Sequence, residues 1–429
     1  MLIVYNVLQI LVLIVVGPVL FVKAILTAKY RQRLPLRLGL GLGRQLAACP
    51  RVAPRIWIHA LSVGEVASSH ALVKALRTAF PEVTLFFSTT TEAGAAFANS
   101  TLGNQINFFI PYPLDLKPCV NRFLDLVDPD LFLLVETDFW PNFLHGLKQR
   151  EVPAVLVNGR ISRRSFTRYY RWRLFFRPMF NSFAALCMQT REDVKRMVHI
   201  GVDAESVKTL GNLKYEAAGL EPVGGEIERA DFGIPEQRLV WAAGSTHGVE
   251  DEMALRIHKR LLADFPDLLL LLAPRQVARG EVLAGMAEAQ GLAVAQRSLG
   301  GGGLSASVLL LDTIGELSGA YRLCEVAFVG GSLIPEGGHN PLEPAAFARP
   351  VLFGPHMDDF MEVSHDLVRA GGALEVAGED DLYRRLKNLL GDPSLRRQMG
   401  EKSVALLARQ QGATSRHVEL IRKLLVGAS

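Results

Sequence analysis

A few residues stand where their type and setting allow chemistry. Glu65 ends the string Ser62-Val63-Gly64-Glu65, directly after the apolar run Ile56–Ala60. Glu136 closes a second apolar run, LFLLV, and Thr137 and Asp138 follow it. Arg275 comes after Pro274 at the end of a third run, Leu268–Ala273. The string GGHNPLEPAA carries Asn340, Pro341, Leu342 and Glu343 behind two glycines. Each reads in two ways. Ser62-x-x-Glu65 has the spacing of a capping box, a purely structural device. A carboxylate so placed can also take a proton from an attacking hydroxyl. Glu136 is either a functional strand-end acid or an ordinary acid before a helix near Trp140. Arg275 is either a surface arginine or a grip for phosphate. The glycines let a backbone come close, a following helix start offers free N–H groups, and Glu343 suits a ribose.

The surrounding pattern says what must position these residues. Short apolar runs at Ile56–Ala60, Val83–Phe87, Ile106–Ile110, Leu131–Val135, Ala154–Val157 and Ala185–Met188, and a strand at Val207–Leu210, alternate with helical stretches. Alternation restarts at Leu239–Ala243 and continues through Leu268–Ala273, Val308–Leu311, Val326–Val329 and Pro350–Phe353. Such an order predicts α/β domains with parallel sheets, whose ligands sit beyond the carboxyl ends of strands. Periodicity lapses over Ala217–Glu226, which sets a domain boundary there. Asp312-Thr313-Ile314-Gly315-Glu316-Leu317 is expected to open a helix with exposed amides near Ile314, Gly315 and Glu316. Gly300–Gly303 reads as a flexible spacer. Helices at about 394–410 and 414–426 end the chain.

Residues 2–22 carry no charge and are long enough to span a bilayer. Lys23, Lys29, Arg31, Arg33, Arg37 and Arg44 follow, which places the rest of the chain on the cytoplasmic side by the positive-inside rule. No charge precedes the run and no cleavage site follows, so a removed signal peptide is not expected. Residues 160–180 interleave Arg160, Arg163, Arg164, Arg168, Arg171, Arg173 and Arg177 with Phe166, Tyr169, Tyr170, Trp172, Phe175 and Phe176. That stretch fits an interface with anionic lipid headgroups, a solvated arginine face over core aromatics, or a single-stranded nucleic-acid surface. The lipid reading is preferred and no nucleic-acid partner is expected.

Totals bound the class. A chain of 429 residues suits two or three domains. A hydrophobic share of 49% excludes a disordered chain, and a net charge of +4 does not demand nucleic acid. The four cysteines are scattered without a C-x-x-C, which favours reduced thiols over disulfides or zinc.

The strings WIHALSVGE, VETDFWP, GNLKYE, GSTH, PR, IGEL and GGHNPLEPAA occur in that order along nearly the whole chain. Together they resemble the Kdo transferases of lipopolysaccharide biosynthesis, which move 3-deoxy-D-manno-octulosonic acid (Kdo) from CMP-Kdo to a lipid A precursor. Two turns depart from that pattern: Gln276 stands where a histidine is expected, and Gly248-Val249-Glu250-Asp251 where Glu-Gly-Glu-Glu is expected. The resemblance implies two Rossmann-like domains facing a cleft, of GT-B type, behind an N-terminal membrane helix. Its domains would be an anchor over 1–26, an acceptor domain over 34–215, a nucleotide-sugar domain over 216–400, and 401–429 packing back on the first. It makes Glu65 the general base, Glu136 a support of the transition state, and Lys214 a cation near the departing phosphate or the sugar carboxylate. Pro274, Arg275, Ile314, Gly315, Glu316, Asn340, Pro341, Leu342 and Glu343 would bind CMP. Inversion is expected, with no metal and no cofactor beyond the donor. The implied site of action is the cytoplasmic side of the inner membrane, through a single-pass or interfacial anchor. The rivals are a sugar-nucleotide epimerase of similar architecture and a non-catalytic membrane scaffold.

Overall fold

The computed structural model describes residues 2–47, 49, 54–217 and 227–427. The chain forms two compact units. One runs to residue 217 and takes back residues 411 onward; the other is 218–410. Most of the expected linker, 218–226, lies outside the described residues. Residues 401–410 stay with the second unit, as the end of the helix Pro393–Gln410.

The first unit holds seven strands: β1 (Arg55–Ala60), β2 (Thr84–Thr89), β3 (Phe108–Pro111), β4 (Leu131–Val135), β5 (Ala154–Gly159), β6 (Ala185–Met188) and β7 (Val207–Thr209). They pair in parallel in the order β3-β2-β1-β4-β5-β6-β7. Strand order reverses between β1 and β4, and ligands of open parallel sheets gather at such a point. Both faces of this sheet are covered, so β1, β2, β4 and β5 are buried along their whole length. Trp57 packs edge-on against Phe132 and Phe143 on one face, while Ile56 and Ile58 join a second cluster on the other.

That second cluster includes Ala413 and Ile421 from the helix Ala413–Gly427. The Thr414 amide donates to Glu216 at 3.1 Å and Arg416 donates to the Leu210 carbonyl at 3.0 Å. The last helix therefore completes the core of the first unit.

The second unit repeats the plan with β8 (Val240–Thr246), β9 (Leu269–Pro274), β10 (Val294–Gln296), β11 (Val308–Leu310), β12 (Val326–Val329), β13 (Val351–Phe353) and β14 (Ala373–Glu375). They pair in parallel in the order β10-β11-β9-β8-β12-β13-β14. The edge strands β10 and β14, which the sequence did not mark, are partly exposed and end in Gln296 and Glu375, so neither writes an apolar run. Gly300–Gly303 is not a free spacer. The Gly303 amide donates to the Phe232 carbonyl at 2.7 Å, and a Cβ on Gly301 would sit 2.7 Å from the Gln296 carbonyl oxygen.

The first unit opens with the helix Leu2–Leu26, which has Pro18 inside it. Its segment Leu2–Val19 has a mean hydropathy of 2.4 and is long and apolar enough to cross a membrane. The cysteines are free thiols, and Cys119, Cys187 and Cys324 are buried.

Because Ile421 is fully buried against the first unit, Ile421→Ala should cost about 2–4 kcal/mol. Urea denaturation should show this in the transition of the first unit and leave that of the second in place.

Candidate active site

The reversal between β1 and β4 is where the first unit collects its polar groups. The chain leaves β1 at Ala60 and enters the helix Val63–Ala79, which carries Glu65 in its first turn. Ser62 is the N-cap residue, but its side chain makes no capping bond. Glu65 does not reach the Ser62 amide either. The Leu61 N–H donates to its Oε2 at 2.5 Å, and the Thr137 hydroxyl donates to its Oε1 at 2.8 Å. The reciprocal capping box is therefore absent, and the carboxyl bridges the ends of β1 and β4 instead.

Thr137 is presented by a strained turn. Glu136 and Asp138, on either side of it, both have positive φ, at 56° and 80°. Residues other than glycine adopt this region rarely, and such strain clusters at functional sites. A buried network holds the turn. His59 on β1 contacts Asp138 Oδ2 at 3.0 Å, and the Thr90 hydroxyl donates to the same oxygen at 3.0 Å. The other nitrogen of His59 lies 2.9 Å from the Ser88 hydroxyl, which also receives the Trp57 indole N–H at 2.8 Å. Tyr112 stacks on the imidazole. Burial lowers the His59 pKa from its usual value, against the bonds to Asp138 and to the Ser88 carbonyl, which lies 3.1 Å from Nδ1.

Glu136 turns away from Glu65 toward cations. Lys214 Nζ lies 3.6 Å from Oε1, Arg160 Nε lies 4.0 Å from Oε2, and the Asn158 amide donates to Oε1 at 2.9 Å. Asn158 also accepts the Leu213 amide at 2.9 Å, while Asn212 accepts the Lys214 amide at 2.9 Å. One buried side chain thus ties the end of β5 to the segment that delivers Lys214.

The electrostatics follow from this arrangement. Glu65 is 6% exposed. Burial pushes its pKa up to about 8, and the nearby charges of Glu136 and Asp138 add to the shift. The bonds from Leu61 and Thr137 oppose the rise without cancelling it. An acid poised near neutral pH is what general base catalysis requires.

In the second unit the sequence candidates all lie beyond strand carboxyl ends. Pro274 ends β9 and Arg275 follows it, exposed, its amide donating to the Thr246 carbonyl at 2.8 Å. Ile314 and Gly315 follow β11 and are exposed. The helix there begins only at Leu317. Glu316 is clasped by Arg297 at 3.0 Å and by the Thr313 hydroxyl, and these bonds outweigh burial to hold its pKa below the usual value. Asn340 accepts the Leu342 amide at 3.1 Å and donates to Glu343 at 3.3 Å. Burial raises the Glu343 pKa to about 7, against the bond from Asn340. His339 meets His247 at 2.9 Å; burial, with Arg275 and His247 nearby, lowers its pKa to about 4.

The glycine loop differs from the sequence expectation of an open anion cradle. The amides of Gly331, Ser332 and Leu333 all donate to Glu250, at 2.7, 3.0 and 2.9 Å. The His247 amide joins them at 3.1 Å. A carboxylate of the chain itself fills that nest. The glycines answer to packing as well: a Cβ on Gly330 would sit 2.5 Å from the Ser245 carbonyl oxygen, and one on Gly338 would sit 2.4 Å from the Met357 sulfur. Asp251, next to Glu250, is buried and paired with Arg279 at 2.9 Å.

Sequence reasoning singled out Glu65, Glu136 and Lys214, and all three lie in the first unit, linked through Thr137 and Asn158. It missed the parts played by His59, Asn158 and Glu250. The signal was available for Glu250, an acid three residues after His247 at a helix start. Asn158 directly follows the run Ala154–Val157, a strand-end position like that of Glu136, while His59 lies inside a run and gave no signal. The sequence does contain one D-x-D string, Asp128-Pro129-Asp130. It lies at the amino end of β4, where Asp130 accepts the Arg55 amide at 2.7 Å and Asp128 ends a helix in the left-handed conformation.

Two parallel-sheet α/β units of this kind are the architecture of GT-B glycosyltransferases and related epimerases. The fold is similar to a UDP-GlcNAc 2-epimerase from Neisseria meningitidis, with a TM-score of 0.58 and 12% identity, over 86% of this chain and all of that one. It is also similar to a glycosyltransferase from Rickettsia africae, with a TM-score of 0.53 and 8% identity, over 86% of this chain and 98% of that one. Residues 32–217 match the 3-deoxy-D-manno-octulosonic-acid transferase family. A 3-deoxy-D-manno-octulosonic acid transferase of Haemophilus influenzae is 36% identical over 92% of both chains. One from Bordetella pertussis is 33% identical over 91% of both. The chain belongs to the Kdo transferase family and is a glycosyltransferase.

A raised carboxyl pKa has a sign that can be read in stability. The unfolded Glu65 ionises near 4.5 and the folded one near 8. Stability from this group is fully present below 4.5 and is lost as pH rises toward 8. Gln at this position keeps an oxygen for the Leu61 amide and an amide for Thr137, but does not titrate. The melting temperature of Glu65→Gln minus that of the parent should therefore grow between pH 4.5 and 8 and level off above it.

Proposed function

We propose that this chain transfers Kdo from CMP-Kdo to a lipid A precursor at the cytoplasmic face of the inner membrane, with inversion and without a metal requirement. The observation that carries the reading is the buried Glu65 carboxyl, which bridges two strand ends beside the Glu136–Lys214 pair, in a chain of the Kdo transferase family.

The acceptor hydroxyl is a weak nucleophile near neutral pH. Glu65, once ionised, takes its proton as attack develops. Thr137 and the Leu61 amide hold the carboxylate in one orientation. The anomeric carbon passes through an oxocarbenium-like state, as in glycoside hydrolysis. Lys214, kept in place by Glu136 and Asn212, meets negative charge on the sugar carboxylate or the departing phosphate. Pro274 and Arg275 take the phosphate side of CMP, and Asn340, Pro341, Leu342 and Glu343 take the ribose and base. The exposed stretch Ile314–Glu316 supplies backbone amides. One base on the face opposite the leaving group gives inversion. Fixed cations at the phosphate do the work that a metal does elsewhere. An apolar N-terminal helix and the arginine–aromatic stretch 160–180 suit an enzyme whose acceptor is a lipid.

Incubation with CMP-Kdo and a lipid A precursor, followed by mass spectrometry of the lipid, tests the reading. The parent should add Kdo mass to the lipid. Glu65→Gln should lose at least about a hundredfold in rate, while CMP binding measured by calorimetry persists. Transfer by this variant at the parental rate would remove Glu65 from the mechanism, and an isomerised sugar without lipid product would point to an epimerase.

A further inference from the structure

The amino end of the N-terminal helix is bonded to the first unit by a polar face. Tyr5, Asn6 and Gln9 share one side of the helix and are partly buried. The Tyr5 hydroxyl donates to Asp115 Oδ2 at 2.9 Å, and Gln9 donates to the Asp115 carbonyl at 3.1 Å. The Asn142 amide donates to Asn6 at 2.7 Å and to Gln9 at 3.2 Å. Their partners are fixed points. Asp115 and Asn142 are 4% and 3% exposed, and the Asp115 carboxylate accepts the Asn142 and Phe143 amides at 3.1 and 2.8 Å. Lifting the helix away would leave these buried groups short of partners, which is costly.

The helix that follows is bonded to the same unit. At Thr27 the chain passes into the helix Ala28–Arg37. From it Arg33 donates to the Thr90 carbonyl at 3.0 Å and Arg37 to the Tyr112 carbonyl at 3.0 Å. The Leu114 amide donates to the Arg37 carbonyl at 3.2 Å. Residues 5–9 and residue 37 thus meet one short stretch, Tyr112–Asp115. A helix crossing a bilayer would hold its two ends about 30 Å apart on opposite sides of the hydrocarbon. Away from its polar face, the helix turns its apolar side chains outward: Ile3, Val4, Ile14 and Val15 are all more than 60% exposed. Tyr5 also contacts the Phe175 ring, with centroids 6.4 Å apart. Phe175 belongs to the short helix Arg173–Phe180, where Leu174 is 89% exposed; Trp172 just before it is 62% exposed, with exposed Arg171 and Arg173 beside it.

We infer that this helix is a monotopic anchor: it lies in one leaflet of an anionic bilayer and does not cross it, with Tyr5, Asn6 and Gln9 holding its amino end on the side of the catalytic units. The inference rests on the membrane reading proposed above and adds its topology. Leu174 and Trp172 extend the apolar surface into the same leaflet, and the flanking arginines meet anionic headgroups.

The test uses the full chain, with a protease-cleavable epitope fused to its amino terminus, in inner-membrane vesicles of a Gram-negative host. Protease should remove the epitope from inside-out vesicles and spare it in right-side-out ones, with detergent exposing it in both. Cleavage from the outer face of right-side-out vesicles overturns the inference and leaves the membrane anchor standing. Recovery of the protein in the soluble fraction defeats the anchor itself, and the inference with it.

Discussion

A single carboxyl buried between the ends of two adjacent parallel strands sets the terms for the first unit. Glu65 leaves water because the helix after β1 turns it toward the end of β4, where Thr137 and the Leu61 amide meet it. Burial makes the charged form costly, so its proton is held up to about pH 8. The surroundings serve to keep that geometry. The turn around Thr137 runs through two unfavourable backbone conformations, and the His59–Asp138 bond and the Thr90 hydroxyl pin it there. Glu136 would raise the cost further if its charge were unpaired. Lys214, Arg160 and Asn158 draw it aside.

The second unit handles a comparable problem in reverse. Its glycine loop creates a nest of backbone N–H groups, which attract an anion. Glu250 supplies that anion from within the chain and fixes the loop against the end of β8. The loop is thereby a rigid platform for His339, Asn340 and Glu343 rather than a phosphate cradle.

Much of this was legible in the sequence because parallel strands buried on both faces write themselves as continuous apolar runs. Six strands of the first unit and five of the second are marked that way; β7 is not, since Lys208 and Thr209 interrupt it. The two that went unread, β10 and β14, are edges with partly exposed residues and a polar end. Glu136 and Arg275 stood out because each follows a run at its carboxyl end, and Glu65 because it closes the Ser62-x-x-Glu65 spacing just beyond one. What could not be read was the partner of each. Spacing made Glu65 a capping residue, yet Thr137, seventy-two positions away, decides its orientation. The same holds for Asp115, which reads as a plain loop acid and proves to receive both the helix Pro141–Gln149 and Tyr5. Register between distant strands, not local pattern, brings such pairs together.

The central claim is a protonation state, and infrared difference spectroscopy reads it directly. Subtracting spectra of Glu65→Gln from those of the parent isolates the one carboxyl. The account predicts a protonated C=O band at neutral pH that gives way to carboxylate with a midpoint near 8. A carboxylate band already complete at pH 6 would contradict it.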